Sequence, residues 1–221
     1  IFHALSIFRR ETNWDQPVTI KVTKQIPVCA GLGGGSSDAA TALHLLAKVS
    51  SYPLSSIVRI NEIALELGAD VPVCLNKKAS RMQEIGEKLT PLGSFPRLPI
   101  LLVNPGVPVK SRDVFNKYNG LFSEPISIST APRSWTSDQL ITLLGRRPQN
   151  DLCAAAMSLV PELEAVFEKL ESLPGVASVG MSGSGATCFA IFPHCDPVNI
   201  KYSLKVLQET GWWFKLTNFY S

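Results

Sequence analysis

A glycine-rich turn is the part of the sequence best suited to chemistry. Four glycines fall within residues 31–35, and Ser36 and Ser37 follow at the start of a predicted helix. Glycine leaves backbone N–H groups uncovered, and a helix N-terminus adds a partial positive charge. The pattern predicts an anion site that suits a triphosphate, with the serine hydroxyls as donors or a metal ligand. On these residues alone, a flexible linker or a packing turn remains an alternative.

Two other phosphate motifs do not match this turn. A Walker loop requires Gly-Lys-Ser/Thr, and the turn holds no lysine, whereas a dinucleotide fingerprint requires Gly or Ala where Ser36 stands. Asp38 follows in the first helical turn, where its charge would repel a bound phosphate. We therefore expect the Asp38 side chain to turn away from any ligand.

Two further places could contribute chemistry. Asp70 stands between Gly68, which ends a predicted helix, and a predicted buried strand, so it could be a firmly held, partly desolvated catalytic base. Without further context, an ordinary loop aspartate that caps backbone groups is the better interpretation, because aspartate is common in turns. The turn at residues 182–185 could be a second backbone nest or only a hairpin loop. Asp151 is explained by N-capping the helix that it begins, without any function.

Composition excludes several classes of protein. The chain has 221 residues, is 45% hydrophobic and carries a net charge of +3 without clustered Lys/Arg runs, which disfavours a nucleic-acid partner. The length favours two structural units. Five cysteines without a C-x-x-C pair favour a reducing cytoplasm over disulfides or zinc, and the three histidines receive no role. No apolar run is long enough to span a bilayer, so we expect a soluble protein with no membrane partner.

The first half of the chain predicts helices around one strand-like segment. Residues 1–10 have helical spacing, and because the chain begins inside this helix we expect an upstream segment. Residues 18–22 alternate as a strand does, and a helix starting at Ser36 should bury a face that includes Val49. A second helix should run from about residue 56 to Gly68. Residues 71–75 read as a short buried strand.

The second half, beyond a boundary near Phe95, has a different order. We predict strands at 98–103, 176–180, 187–192 and 212–216, and helices at 112–118, 137–144 and 198–210. One strong helix should begin at Asp151, and residues 123–134 should form a loop. The order is the β-α-β-β-α-β of a ferredoxin-like unit with inserted helices.

Three stretches together resemble the GHMP kinase superfamily: residues 26–40 (IPVCAGLGGGSSDAA), 67–73 (LGADVPV) and 181–189 (MSGSGATCF). Residues 85–89 and 104–107 narrow the resemblance to one branch. The resemblance covers nearly the whole chain. It implies an α+β fold with a truncated N-terminal ATP-binding domain at 1–95, which resembles domain 2 of ribosomal protein S5. A ferredoxin-like C-terminal domain would occupy 96–221.

The resemblance also implies an activity and a set of site residues. The implied reaction is phosphorylation of the 2-hydroxyl of 4-diphosphocytidyl-2-C-methyl-D-erythritol (CDP-methylerythritol) in non-mevalonate isoprenoid biosynthesis. The implied cofactors are ATP and Mg²⁺, with Asp70 as the catalytic aspartate and Ser37 as a metal ligand. The implied substrate contacts are Ser111, Phe115, Gly183, Ser184 and Gly185. The implied ATP contacts are Pro27, Val28, Cys29, Ala30, Gly31, Leu32, Gly33, Gly34, Gly35, Ser36 and Ser37.

The chain departs from the family pattern at its beginning. Members carry an N-terminal lysine that partners the aspartate and an Asp-Gly-Tyr-His stretch that holds the cytosine, and neither occurs in these 221 residues. We therefore expect little turnover from the chain by itself. A homoserine or mevalonate-type kinase and a nucleotide-binding module without catalysis remain the alternatives.

Overall fold

The computed structural model describes residues 1–120, 122–124, 128 and 131–219. The predicted loop at 123–134 therefore lies partly outside the described residues. The chain forms two compact units, and the second includes a short segment that interrupts the first in sequence. The first unit comprises residues 1–24 and 33–94, and the second comprises 25–32 and 95–221.

The first unit is mainly helical. Its helices are α1 (Phe2–Thr12), α2 (Gly34–Ser50), α3 (Ile60–Leu67) and α4 (Val71–Asn76), with a 3-10 turn at Leu54–Ser56. Strands β1 (Ser80–Gln83) and β2 (Lys88–Pro91) form an antiparallel hairpin. Alanines on α2 allow close packing of the neighbouring helices. The buried core includes Ala4, Ile7, Phe8, Ala39, Ala40, Ala42, Leu43, Leu46, Ile57, Ile63, Ala64 and Val71.

Several predictions for this unit hold and others are wrong. The opening helix and the end of α3 at Gly68 are confirmed. Helix α2 begins at Gly34, two residues before the predicted start, and Val49 is exposed rather than buried. Residues 18–22 form no strand, because a strand needs a paired neighbour and no residue in the described part of the chain pairs with them.

The predicted strand at 71–75 is helix α4. Pro72 lies in its first turn, where a helix does not need the missing N–H group. Val71 is fully buried, so the apolar run that indicated a buried strand is the packed face of a short helix instead. Periodicity cannot separate these two states over five residues.

The second unit contains a four-stranded antiparallel sheet in the order β4-β5-β3-β6. Its strands are β3 (Pro99–Asn104), β4 (Ser178–Met181), β5 (Cys188–Ile191) and β6 (Trp213–Asn218). The helices are α5 (Ser111–Lys117), α6 (Ser137–Leu144), α7 (Cys153–Leu159), α8 (Glu162–Glu171) and α9 (Pro197–Gln208). This order confirms the α+β class and the ferredoxin-like unit with inserted helices.

The helix predicted from Asp151 is two helices. Pro161 separates α7 from α8, and Val160 between them has a non-helical backbone (φ −133°, ψ 80°). The apolar face predicted for this stretch is nevertheless buried against the sheet. It comprises Leu163, Val166, Phe167 and Leu170.

No helix in the described ranges has the length and apolar character that crossing a bilayer requires. All five cysteines are free, and Cys29 and Cys195 are exposed.

Candidate active site

The first part of the glycine-rich segment belongs to the second unit and is bonded to the 182–185 turn. Ser182 Oγ donates to the Gly31 carbonyl at 2.9 Å, and the Thr187 N–H donates to the Ala30 carbonyl at 3.2 Å. Gly31 has a φ of +71°, and a Cβ there would lie 2.7 Å from the Ser182 carbonyl oxygen and still nearer the Gly185 oxygen. Both neighbours are backbone, so residue 31 must be glycine for the two segments to meet.

The 182–185 turn carries its own hydrogen bonds. The Ser182 N–H donates to the Thr187 carbonyl and the Gly185 N–H donates to the Ser182 carbonyl, both at 2.9 Å. The Ser184 hydroxyl lies 2.7 Å from the Ser111 hydroxyl at the start of α5. The structure thus brings together Ser111 and the turn, two elements that the sequence separated by about 70 residues. Phe115, one helical turn after Ser111, is 60% exposed.

The rest of the segment begins α2 in the first unit. Gly33 is the N-cap residue in the left-handed conformation (φ 62°, ψ 19°), and the Ser37 N–H donates to its carbonyl. A Cβ on Gly33 would lie 3.9 Å from Asp70 Oδ2, which places the carboxylate next to the helix start. A Cβ on Gly68 would lie 3.9 Å from Ser36 Oγ. Within this unit, the structure therefore gathers the start of α2 and Asp70.

Gly34 and Gly35 are glycines that the fold does not need. Neither has a positive φ, and a Cβ on either would meet nothing within 4 Å. Glycine in a helix costs about 0.5–1 kcal/mol relative to alanine. A bound group that approaches the bare backbone gives a reason for both residues.

Asp70 is more exposed than the sequence suggested. It precedes α4 and is exposed, rather than partly desolvated before a buried strand. Its side chain makes no capping bond to α4, so the alternative of a capping aspartate finds no support in the described residues. Gly86, with a φ of +103°, packs its Cα against the Ala69 backbone, where a side chain would clash. The hairpin between β1 and β2 thereby supports the backbone that carries Asp70.

Asp38 forms an ion pair with Lys24 in the first unit. Both side chains are partly exposed, so the pair adds little stability, but it neutralises a charge that would oppose a bound phosphate. The sequence indicated that the charge of Asp38 would repel a bound phosphate, but it did not identify Lys24 as the ion-pair partner. A lysine 14 residues away in a segment without regular structure gives no local signal.

Asn150 is the polar residue that sequence reasoning missed. Its Nδ2 donates to the carbonyls of Met181 and Gly183, each at 2.9 Å. The N-capping role predicted for Asp151 is wrong, because the N-cap position of α7 is Leu152, with no side-chain capping bond, and Asp151 instead accepts hydrogen bonds from Ser123.

Two cysteines near these elements are held as neutral thiols. Burial raises the pKa of Cys74, and the negative charge of Asp70, four residues earlier, raises it further. Burial raises the pKa of Cys188 much more strongly, with a smaller contribution from Cys153. Neither thiol is therefore prepared for nucleophilic chemistry.

A cavity of about 470 Å³ in the first unit lies apart from the predicted residues. His44, Pro72 and Glu87 are among the residues that line it, whereas Asp70 and the glycine-rich segment are not. His44 Nε2 is buried without a hydrogen-bond partner among the described residues.

Two family models and several known proteins match the chain. The model of the GHMP kinases N-terminal domain matches residues 1–78, and that of the GHMP kinases C-terminal domain matches residues 139–205. A 4-diphosphocytidyl-2-C-methyl-D-erythritol kinase of Granulibacter bethesdensis is 43% identical over 88% of this chain and 64% of the relative. The kinase of the same name from a Chelativorans species is 39% identical over 91% of this chain and 67% of its own length. The chain thus spans about two thirds of these relatives.

Solved structures show the same fold. A crystal structure of 4-(cytidine 5'-diphospho)-2C-methyl-D-erythritol kinase matches with a TM-score of 0.77 and 30% identity, over 97% of this chain and 76% of the other. A homoserine kinase from Cytophaga hutchinsonii matches with a TM-score of 0.73 at 15% identity, over 98% of this chain and 74% of the other, which shows likeness of fold alone. From its motifs, its two family domains and these relatives, the chain belongs to the GHMP kinase family.

Proposed function

We propose that this protein transfers the terminal phosphoryl group of ATP to the 2-hydroxyl of 4-diphosphocytidyl-2-C-methyl-D-erythritol, a step in non-mevalonate isoprenoid biosynthesis. The relatives that carry this kinase name are 37–43% identical to the chain over most of its length. We place the protein in the cytoplasm, since all five of its cysteines are free and two are exposed. We further propose an ATP-binding domain at residues 1–95 and a C-terminal domain at 96–221.

The observation that carries the proposal is the pair of glycines at the start of α2. Gly34 and Gly35 weaken their helix and fill no steric need, since no atom beyond their chain neighbours and the backbone of the helix itself lies within 4 Å of either Cβ position. Their backbone N–H groups are among the first of the helix, which have no partner within the helix and favour an anion. A polyphosphate in contact with this backbone accounts for both features.

The proposed ATP site runs from Pro27 to Ser37. Backbone N–H groups of this segment would hold the phosphates, and the Ser37 hydroxyl, exposed in the first turn of α2, would supply an oxygen ligand to Mg²⁺. This fits the ion, which in phosphate sites takes few protein ligands besides the phosphate oxygens. When bound, Mg²⁺ neutralises charge on the transferring phosphoryl group.

Asp70 is the proposed catalytic residue. Its carboxylate is exposed and has no hydrogen-bond or ion-pair partner in the described part of the chain, so it is free to orient the substrate hydroxyl and accept its proton as the oxygen attacks phosphorus. We place the substrate near the Ser111 and Ser184 hydroxyls, Gly183 and Gly185, with Phe115 exposed for contact with its base. An exposed aromatic ring is suited to stacking on a nucleobase.

Substitution of Asp70 tests the assignment. In a form of the protein that spans the full length of its relatives, Asp70→Asn should lower kcat by about 10²–10⁴-fold and leave the Kd for ATP nearly unchanged. Asp138→Asn, which removes an exposed carboxylate in the first turn of α6, is the matched control and should leave kcat unchanged. An unaltered kcat in Asp70→Asn would remove this residue from the chemistry.

A panel of alcohols tests the substrate. CDP-methylerythritol, homoserine and mevalonate should be compared by kcat/KM with the same preparation, and the cytidine compound should be strongly preferred. Preference for homoserine or mevalonate would assign a different kinase of the family. Binding of ATP without phosphorylation of any alcohol would favour a nucleotide-binding module without catalysis.

A further inference from the structure

We propose that Asn150 is a positioning residue that fixes the 182–185 turn so that the N–H groups of Gly183 and Ser184 face the terminal phosphate of ATP. The inference rests on the proposed function, because it assigns to this turn a role at the ATP site. It adds a residue that lies outside all three motifs on which the family resemblance depends.

The amide nitrogen and the oxygen of the Asn150 side chain both form hydrogen bonds within the second unit. Its Nδ2 donates to the carbonyls of Met181 and Gly183, each at 2.9 Å, and its Oδ1 accepts the Leu152 N–H at 3.0 Å. One planar group thus ties the end of β4 and the turn to the residue that precedes α7. A side chain with donors and an acceptor on the same short planar group is required, and among the amino acids asparagine supplies it with the least conformational freedom.

These hydrogen bonds determine which backbone groups of the turn remain available to bind a ligand. Asn150 engages the carbonyls of residues 181 and 183, and the Gly185 N–H engages the carbonyl of Ser182. The N–H groups of Gly183 and Ser184 have no hydrogen-bond partner among the described residues. Two successive free N–H groups beside a left-handed glycine (Gly183, φ +54°) are the arrangement of an anion-binding nest.

The turn also lies beside the proposed ATP segment within the second unit. Ser182 Oγ donates to the Gly31 carbonyl at 2.9 Å, and a Cβ on Gly183 would lie 3.0 Å from that carbonyl oxygen. Phosphate held by the segment that contains Gly31 is therefore close to the free N–H groups of the turn. Loss of the Asn150 bonds would release the carbonyl of Gly183 and allow its peptide group to rotate.

The discriminating measurement compares MgATP with MgADP. The Kd of each nucleotide is measured by calorimetric titration of the wild-type chain, of Asn150→Ala and of Asn150→Asp. Asn150→Asp keeps the volume and the acceptor for Leu152 but replaces the Nδ2 donor with an oxygen. If the turn contacts the terminal phosphate, both variants should lower the ratio of ATP affinity to ADP affinity about tenfold, the effect of losing a hydrogen bond to a charged group.

Arg146→Ala is the matched control. Arg146 also bridges two carbonyls of the second unit, donating to Val176 at 2.8 Å and Glu171 at 3.2 Å, on elements outside the turn. Its loss should reduce stability without altering the affinity ratio. If the role of Asn150 is purely structural, the ratio of ATP affinity to ADP affinity stays unchanged in its variants, as in this control, and the inference is overturned.

Hydrogen exchange separates this inference from the proposed function. Exchange of the peptide that spans residues 181–187 should be faster in Asn150→Ala than in Arg146→Ala, because the bonds of Ser182 and Gly185 lose their support. Equal exchange in the two variants would contradict the positioning role even if nucleotide binds. If the wild-type chain binds neither nucleotide, the proposed function fails and the phosphate role of the turn fails with it, whatever the exchange data show about Asn150.

Discussion

Replacement of Gly31 by alanine tests the contact between the glycine-rich segment and the 182–185 turn. Residue 31 has a φ of +71°, which costs an alanine about 1–2 kcal/mol. Its Cβ would also lie 2.7 Å from the Ser182 oxygen, and neither that atom nor the nearer Gly185 oxygen can move without shifting backbone. Overpacking of this kind costs about 1–3 kcal/mol more. We therefore expect Gly31→Ala to lower the free energy of unfolding by about 2–5 kcal/mol.

Gly211→Ala isolates the backbone part of this effect. Gly211 lies in the same unit and has the same φ of +71°, but a Cβ there would meet nothing within 4 Å. It should cost only about 1–2 kcal/mol. Urea unfolding followed by circular dichroism measures both variants, with the slope m compared to exclude a change in the unfolded state. Equal losses of stability in the two variants would refute the close approach of residue 31 to the turn.

Three further variants address separate features of the site and the core. Gly34→Ala should raise the free energy of unfolding by up to about 1 kcal/mol, because alanine favours the helix. It should also weaken MgATP binding at least about tenfold, and an unchanged affinity in calorimetry would count against ligand contact at this residue. Asp38→Asn removes the exposed pair with Lys24 and should change stability by less than about 1 kcal/mol while tightening MgATP binding; weaker binding would contradict the account. Burial raises the pKa of Cys188, so the thiol ionises at a lower pH in the unfolded chain than in the folded one. Stability should therefore fall as pH rises above about 8.5. The fall should be smaller in Cys188→Ala, and an equal fall in the two proteins would contradict this explanation.

The parts of the fold that the sequence predicts well are those with local signals. The four strands of the second unit are separated from one another by helices or, between β4 and β5, by the glycine-containing turn, so their order follows from periodicity and turn residues. Short apolar runs cannot be assigned in this way, and α4 contains such a run, because five apolar residues (71–75) fit a strand as well as a helix. The strand predicted at residues 18–22 fails for another reason: alternation describes one face of a sheet but does not supply the neighbour that pairs with it.

In the candidate site, too, the features with a local sequence signal could be predicted and those that depend on long-range contacts could not. Residues 31–37 and Asp70 lie in contiguous motifs, so their residue types already indicate phosphate chemistry. Asn150 reaches carbonyls 31 and 33 residues further along the chain, and Ser182 bonds a carbonyl 151 residues away. No local pattern encodes such contacts. The exposure of Asp70 could not be predicted either, because it depends on α4 being a helix.

The most direct test of the central claim is a titration of the ¹⁵N-labelled chain with MgATP, followed by amide chemical shifts. If residues 31–37 hold the phosphates, the largest and saturable shifts occur at these residues, with smaller ones at Gly183 and Ser184. In Gly34→Ala the same shifts should require a higher nucleotide concentration. Saturable binding elsewhere that leaves the amide chemical shifts of residues 31–37 unchanged would contradict a phosphate site at these residues.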